Sequence, residues 1–155
     1  MIDNAAALSP DSEPVLNNLE LGKLFNDMNQ GTLPERMGIE FLEASLQRVV
    51  ARMPVTGNTQ PYGLLHGGAN VLLAETVGSI GAALHAGTNR IAIGLDINAT
   101  HHRGARSGHV TATATALSLG RTLASYDVTI VDDEGQRVCT SRITCLLRDT
   151  VPAAQ

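Results

Sequence analysis

The sequence predicts an α+β protein in which one antiparallel sheet curls around a single long central helix. One helical run, residues 67–84, is apolar on nearly every side, which is typical of a helix surrounded by protein. Four long stretches with strand-like alternation follow it, and a short amphipathic helix and two shorter strands precede it. Because one sheet cannot cover a helix completely, we expect a second copy of the chain to cover the rest, in a dimer or a dimer of dimers.

Ahead of the central helix, the apolar spacing changes from helical to strand-like. Residues 1–14 are small, polar and acidic, and we expect them to form a flexible N-terminus, with a single domain over residues 15–150. Apolar residues recur at helical spacing over residues 15–28, and Gly31 and Pro34 are expected to end that helix. Two strands should follow, on either side of a turn at residues 43–45.

After the central helix, the pattern is that of strands. The segment 86–89 contains Gly and Asn, which tolerate the left-handed conformation in which helices end. Period-two alternation then predicts four strands, over residues 91–103, 109–119, 123–131 and 137–147. The second of these carries small residues on both faces, which suits a sheet pressed against a helix, and Gly135 provides a positive φ for the last hairpin.

Composition excludes several classes of function. The net charge is -4 and only 17% of residues are charged, against roughly a quarter in typical domains. This balance suggests neither nucleic acid nor an acidic membrane surface as a partner, and a content of 3% aromatic residues argues against a base-stacking platform. Cys139 and Cys145 lie too far apart along one strand to bridge each other, and the first residues lack a signal-peptide pattern, so we expect a reduced, cytoplasmic protein.

Glu75 is the one charge in the apolar run 67–84. If the helix is surrounded by protein, this carboxylate is largely withdrawn from water, which costs several kcal/mol unless partners compensate it. Such a group is a candidate general base or nucleophile at a carbonyl centre; the alternative is a carboxylate at the helix edge that binds solvent or an arginine. Ser79, four residues later, shares its helix face and either supports it or eases packing.

The entry to this helix is a second candidate site. Gly67 and Gly68 fall in its first turn, where backbone N–H groups lack helical partners and the dipole is positive, so a developing oxyanion could be stabilised there. The alternative is a plain helix entry after a turn. His66 could cap the helix, orient a ligand or shuttle a proton, and the amide of Gln60 could donate to a carbonyl; either residue could instead tie the loop together.

The remaining polar clusters give weaker signals. His101, His102 and His109 do not predict a metal site, because neighbours in a strand point to opposite faces and no Cys or carboxylate stands at ligand spacing. The arginines of the strand half are solvated surface charges by default. The segment 119–122, which joins Gly120 to Arg121, is a better candidate for a phosphate contact.

Taken together, these residues resemble the hotdog-fold acyl-CoA thioesterases. The closest likeness is to the branch of the 1,4-dihydroxy-2-naphthoyl-CoA and 4-hydroxybenzoyl-CoA thioesterases, which includes phenylacetate-pathway thioesterases. The resemblance covers residues 35–148. It is carried by residues 60–68, Ala74 with Glu75, Gly78 with Ser79, and residues 94–99, 101–108, 119–121 and 138–142.

The resemblance implies an enzyme that hydrolyses an acyl-CoA, of which an aromatic one is expected, at a site shared by two subunits of a homodimer within a homotetramer. Gly67 would polarise the carbonyl, Gln60 and His66 would position the substrate, and the partner's Glu75, supported by Ser79, would attack or activate water. CoA is part of the substrate, and neither a cofactor nor a metal is implied. The implied CoA contacts are Gly94, His101, His102, Arg103, Gly104, Ser118, Leu119, Gly120, Arg121, Thr122, Leu123 and Arg148.

One residue departs from the family pattern, and the acyl group and two rival functions stay open. Gly104 stands where relatives often have proline or serine. Small residues of the helix, Ala74, Gly78 and Ala82, are expected to leave room for a flat aromatic acyl group. The rival functions are a hotdog-type hydroxyacyl thioester dehydratase, which would use His66 with Glu75, and a non-catalytic acyl-CoA-binding module. A G-x-S-x-G elbow is absent from the sequence, and an activated thioester needs no Ser-His-Asp triad.

Overall fold

The computed structural model of the chain describes residues 16–150. The expectation of a flexible segment at residues 1–14 lies outside the described residues. The elements are α1 (Asn18–Met28), α2 (Leu33–Arg36), β1 (Glu40–Ala44), β2 (Arg48–Pro54), α3 (Gly67–Ala86), β3 (Arg90–His101), β4 (His109–Leu119), β5 (Leu123–Asp132) and β6 (Arg137–Asp149). None of the helices within residues 16–150 is both long and apolar enough to span a membrane.

The strands form one six-stranded sheet in the order β1-β2-β4-β5-β6-β3, with every neighbouring pair antiparallel. Helix α3 packs across one face of this sheet and contacts five of its strands. The predicted α+β class, with an antiparallel sheet around a long central helix, is therefore confirmed. The predicted strand at residues 109–119 has the bounds of β4, and Gly135 has the positive φ, 76°, that the last hairpin requires.

Helix α1 ends at Met28, as predicted. Pro34 does not end it but lies in the first turn of α2, where its missing N–H costs no hydrogen bond. Two strand boundaries differ from the prediction for local reasons. The first hairpin is predicted to turn at residues 43–45, but β1 continues to Ala44 and the turn follows over residues 45–47, closed by the Ser45 N–H, which donates to the carbonyl of Arg48. Strand β3 ends at His101, since the next two N–H groups both turn to the carbonyl of Val138.

The core lies between α3 and the sheet. The inner face of α3 is formed by small and medium side chains, and it meets alternate residues of β4, β5 and β6. Gly81 allows the closest approach: a Cβ built there would lie 2.6 Å from the ring of Tyr126, a fully buried residue of β5. The predicted small residues of β4 behave as expected, since Val110, Ala112 and Ala114 are completely buried.

The two edges of the sheet differ. The β1 edge is closed by Asn26 of α1, whose amide donates to the carbonyl of Phe41 at 3.0 Å and accepts from its N–H at 2.7 Å. The β3 edge has no such cover within the described residues, and Ile91, Ile93 and Leu95 expose 47%, 38% and 57% of their surface there. A long apolar edge of this kind invites pairing with another strand.

Candidate active site

The entry of α3 carries an unpaired backbone donor. His66 caps the helix. Nδ1 of its ring accepts a hydrogen bond from Gly68 N–H at 2.9 Å, and its backbone carbonyl accepts one from Ala69 N–H at 2.9 Å. The N–H of Gly67 has no hydrogen-bond partner within residues 16–150. This N–H stands at the positive end of a 20-residue helix, which is the environment that stabilises an oxyanion.

A cavity of about 360 Å³ opens beside this donor. Its walls are Gln60, Leu64, Leu65, Gly67, Asn70, His101, His102, Arg103 and Gly104. The ring of His101 fills the space that a side chain at Gly67 would need, because a Cβ built there would lie 3.0 Å from its Nε2. This one cavity is therefore surrounded by Gly67 as the predicted oxyanion donor, by Gln60 as a predicted positioning residue, and by one group of predicted CoA contacts, residues 101–104.

Glu75 and Ser79 face a different cavity, of about 500 Å³, on the outer side of α3. Its other walls are largely apolar: Leu33, Pro34, Gly68, Val71, Leu72, Thr76 and Ile80. The prediction that Glu75 is withdrawn from water is wrong for the isolated chain, in which this residue is exposed. The sheet covers mainly the opposite face of the helix and reaches Glu75 at its edge, beside Gly94, so the apolar residues around Glu75 are themselves only partly covered.

Gly67 and Glu75 cannot act on one carbonyl within one chain. They stand eight positions apart on the same helix, which separates them by about 12 Å along its axis, and they line two separate cavities. The members of this predicted site are therefore divided between the two cavities.

Known proteins resemble this chain in sequence and in fold. The family model of the thioesterase superfamily matches residues 62–139, about half of the chain. The proofreading thioesterase EntH of Cronobacter turicensis is 41% identical over 120 residues, which are 77% of this chain and 88% of that protein. The chain belongs to the thioesterase superfamily.

Two solved structures agree with this assignment. The thioesterase HI1161 of Haemophilus influenzae superposes with a TM-score of 0.80 at 34% identity, covering 92% of this chain and 97% of the other. A variant of the thioesterase PA1618 of Pseudomonas aeruginosa superposes with a TM-score of 0.79 at 36% identity, covering 83% and 94%. The predicted hotdog fold and the predicted class of enzyme, a thioester hydrolase, are thus confirmed; the narrower branch and the role of each residue stay predictions.

The surroundings of Glu75 in this thioesterase include two residues of the sheet. A Cβ built on Gly94 would lie 3.2 Å from Glu75 Oε1, so the glycine leaves room for the carboxylate. Cys145 is paired with Gly94 across β3 and β6 and is fully buried. Burial raises the pKa of the Cys145 thiol; a hydrogen bond with Ser79 lowers it and the charge of Glu75 raises it. Sequence reasoning missed Cys145, because only the strand register brings it to the catalytic candidates.

Apart from Gly94, which lies beside Glu75, the other predicted CoA contacts lie at the far end of α3. The loop of residues 118–123 is held there by His85, whose Nε2 lies 2.8 Å from the carbonyl of Gly120, and by Arg90, which donates to the carbonyl of Arg121 at 2.7 Å. Arg148 is also exposed at that end, opposite the start of β3. Since α3 is about 30 Å long, one chain does not gather these residues and the group near His101 around one short ligand.

One expectation about local structure needs correction, and one residue of the site was overlooked. Ala74, Gly78 and Ala82 do not line the outer cavity; all three are buried toward the sheet, where Gly78 leaves no room for a methyl group beside Ile143. The polar residue missed at the helix entry is Asn70, which is 3% exposed and lines the first cavity. Its signal was present in the sequence, since it is a polar residue one turn beyond Gly67 in an apolar helix.

Proposed function

We propose that this thioesterase hydrolyses an acyl-CoA, with an aromatic acyl group, to the free acid and CoA at a site that two copies of the chain share. The observation that carries the proposal is the separation of the two reactive halves. A free N–H at Gly67 and a carboxylate at Glu75 are the groups that thioester hydrolysis needs, and one chain keeps them about 12 Å apart.

Two-fold symmetry can bring the halves together. If two α3 helices lie antiparallel, Gly67 of one copy meets Glu75 of the other when the axis passes halfway between them, at position 71. The outer face of α3 is incompletely covered, and the adjoining β3 edge exposes three large apolar side chains, so both surfaces gain from such pairing. The outer cavity, with its apolar walls beside Glu75, would take the acyl group.

The chemistry follows from these positions. The thioester carbonyl oxygen accepts a hydrogen bond from Gly67 N–H while Gln60 orients the substrate. The partner copy's carboxylate either removes a proton from water as the water adds to the carbonyl carbon, or adds itself and forms an anhydride that water then cleaves. In both routes the C–S bond breaks and one water is consumed: its OH group ends on the acyl carbon, and its other proton, first held by the carboxylate, goes to the departing sulfur, so that CoA leaves as the thiol. Ser79 lies beside the carboxylate in the same cavity wall.

The first test measures CoA release from a panel that contains aryl-CoAs, including 1,4-dihydroxy-2-naphthoyl-CoA and 4-hydroxybenzoyl-CoA, and fatty acyl-CoAs. We expect the aryl-CoAs to be hydrolysed fastest and Glu75→Ala to remove most of the rate in a folded protein. An enoyl product without CoA release would identify a dehydratase, and tight binding without turnover would identify a binding module. A folded Glu75→Ala variant with full activity would refute the assigned role.

The second test addresses the shared site through complementation. Glu75→Ala and Gln60→Ala are each expected to be inactive. When the two are unfolded together and refolded at equal amounts, half of the dimers combine one chain of each kind, and one of their two sites is intact. Activity should therefore return to about a quarter of the parent value. No recovery would place both residues of a site on one chain.

The third test locates the axis. In Val71→Cys, the two thiols should lie close enough across the axis to form an intermolecular disulfide under mild oxidation, seen as a dimer on a non-reducing gel. Thr88→Cys, in the exposed turn after α3, is the matched control and should stay monomeric on the same gel. Equal cross-linking of the two variants would contradict the antiparallel arrangement.

A further inference from the structure

The side chain of Asn70 is a buried amide without a protein partner. It is 3% exposed, and its Oδ1 is enclosed in the protein with no hydrogen-bond donor. Within residues 16–150, its NH2 group also has no acceptor, although the backbone N–H of the same residue donates to the carbonyl of His66. A buried polar group in this state costs free energy, and an apolar side chain of equal size would avoid that cost.

The position of this amide relates it to the oxyanion donor. Asn70 stands three residues after Gly67, so the two share one face of α3 and line the same cavity. Helical side chains slant toward the N-terminus, so the amide lies over the first turn, near the free N–H of Gly67. Because Oδ1 is the enclosed end, the NH2 group is the end that a ligand in the cavity can reach.

We propose that Nδ2–H of Asn70 is a second donor to the thioester carbonyl oxygen, beside the N–H of Gly67; this inference rests on the proposed function. As the nucleophile adds to the carbonyl carbon, the π electron pair of the C=O bond moves onto oxygen, and the two N–H groups hold the resulting negative charge. No proton is transferred to that oxygen. The pair then re-forms the C=O bond as the C–S bond breaks.

The test compares Asn70→Leu with the parent enzyme. Leucine has a similar size and no donor, so kcat should fall by about a hundredfold, as for other oxyanion donors, while KM changes little. The midpoint of thermal unfolding should stay the same or rise, because the unpaired amide is gone. Asn70→Asp keeps the size but also lacks the NH2 donor, and should lose a comparable part of kcat.

Asn29→Leu is the matched control. The Nδ2 atom of Asn29, at the end of α1, is the other buried side-chain atom in the described residues that has no partner. Its removal should leave kcat unchanged, which shows that loss of a buried unpaired amide does not by itself lower activity. A similar fall in kcat for both variants would overturn the proposal.

A change of substrate gives a readout that a structural role would not move. A dithioester of CoA carries C=S where the substrate has C=O, and sulfur is a weaker hydrogen-bond acceptor. The parent should prefer the oxygen thioester, and Asn70→Leu should reduce this preference by about tenfold or more. An unchanged preference or a full kcat in Asn70→Leu would refute the second donor alone, whereas a parent that hydrolyses no thioester would refute the proposed function first.

Discussion

Replacing Gly94 by alanine should lower kcat by moving the carboxylate of Glu75. The added methyl carbon would lie 3.2 Å from Glu75 Oε1, whereas ordinary contacts begin at 3.4 Å, so the carboxylate must shift by a few tenths of an ångström. A displacement of 1 Å costs on the order of a hundredfold in rate, so a shift of this size should cost about three- to tenfold. Ground-state binding of the substrate does not depend on this contact, so KM should change little.

The same substitution should not weaken the fold. Gly94 lies in a strand with a negative φ, and alanine is more stable than glycine there by about 0.5–1 kcal/mol. For a chain of 155 residues, we expect the thermal midpoint to rise by about 1–4 °C. The assay is steady-state CoA release beside a thermal melt of the same preparation.

Two outcomes would refute this reasoning. A rise in KM at unchanged kcat would indicate that Gly94 contacts CoA, as its resemblance to the family implies, and does not act through Glu75. A fall in kcat that persists in a Glu75→Asp background would also contradict it, because the shorter aspartate no longer reaches the added methyl group. The double-mutant cycle should therefore show strong coupling between the two positions.

Three further predictions concern stability and assembly. Gly81→Ala gains about 1 kcal/mol of helix propensity, but it forces a methyl group against the ring of Tyr126 at a cost of about 1–3 kcal/mol. The midpoint of thermal unfolding should therefore fall or at best stay constant. Burial raises the pKa of Tyr126 to about 12 and raises those of Cys139 and Cys145 above 9.0, so these groups ionise first in the unfolded chain. The free energy of unfolding, measured in urea, should therefore fall as pH rises from about 9 to 12. Tyr126 alone should account for about 1.4 kcal/mol of this fall by pH 11, and Tyr126→Phe should remove that part of the pH dependence. Leu95→Lys places a charge on the apolar β3 edge and should yield inactive monomers in sedimentation, so an active dimer of this variant would contradict pairing through that edge.

The sequence determines the elements of this fold better than their arrangement. Period-two alternation of Val110, Ala112 and Ala114 places β4 correctly, and an apolar run opened by two glycines places α3. Alternation does not tell which strands are neighbours. The sequence therefore could not show that β3 pairs with β6 and ends the sheet as an open edge, although β4 follows it directly in the chain.

The candidate site shows the same limit. The carboxylate of Glu75 stands out in the sequence because its neighbours are apolar, but an apolar neighbourhood does not tell whether the cover comes from the sheet or from another chain. The small size of Ala74 and Gly78 suggests room for an acyl group, but in the structure that size serves the contact with the sheet. Cys145 becomes part of the site only through its register with Gly94.

One helix thus satisfies two requirements with opposite faces. Its inner face needs small residues, because Tyr126 and Ile143 press against Gly81 and Gly78 and fix the helix on the sheet. Its outer face carries the carboxylate eight residues beyond the free N–H of the entry, a spacing too long for one carbonyl within a chain. If a second copy approaches antiparallel, Gly67 of each chain meets Glu75 of the other chain. One pairing therefore completes two sites at once and also covers the apolar residues around the carboxylate. The exposure of Glu75 in the isolated chain is then what a shared site requires, because a carboxylate buried by its own sheet could not reach a substrate bound to another copy.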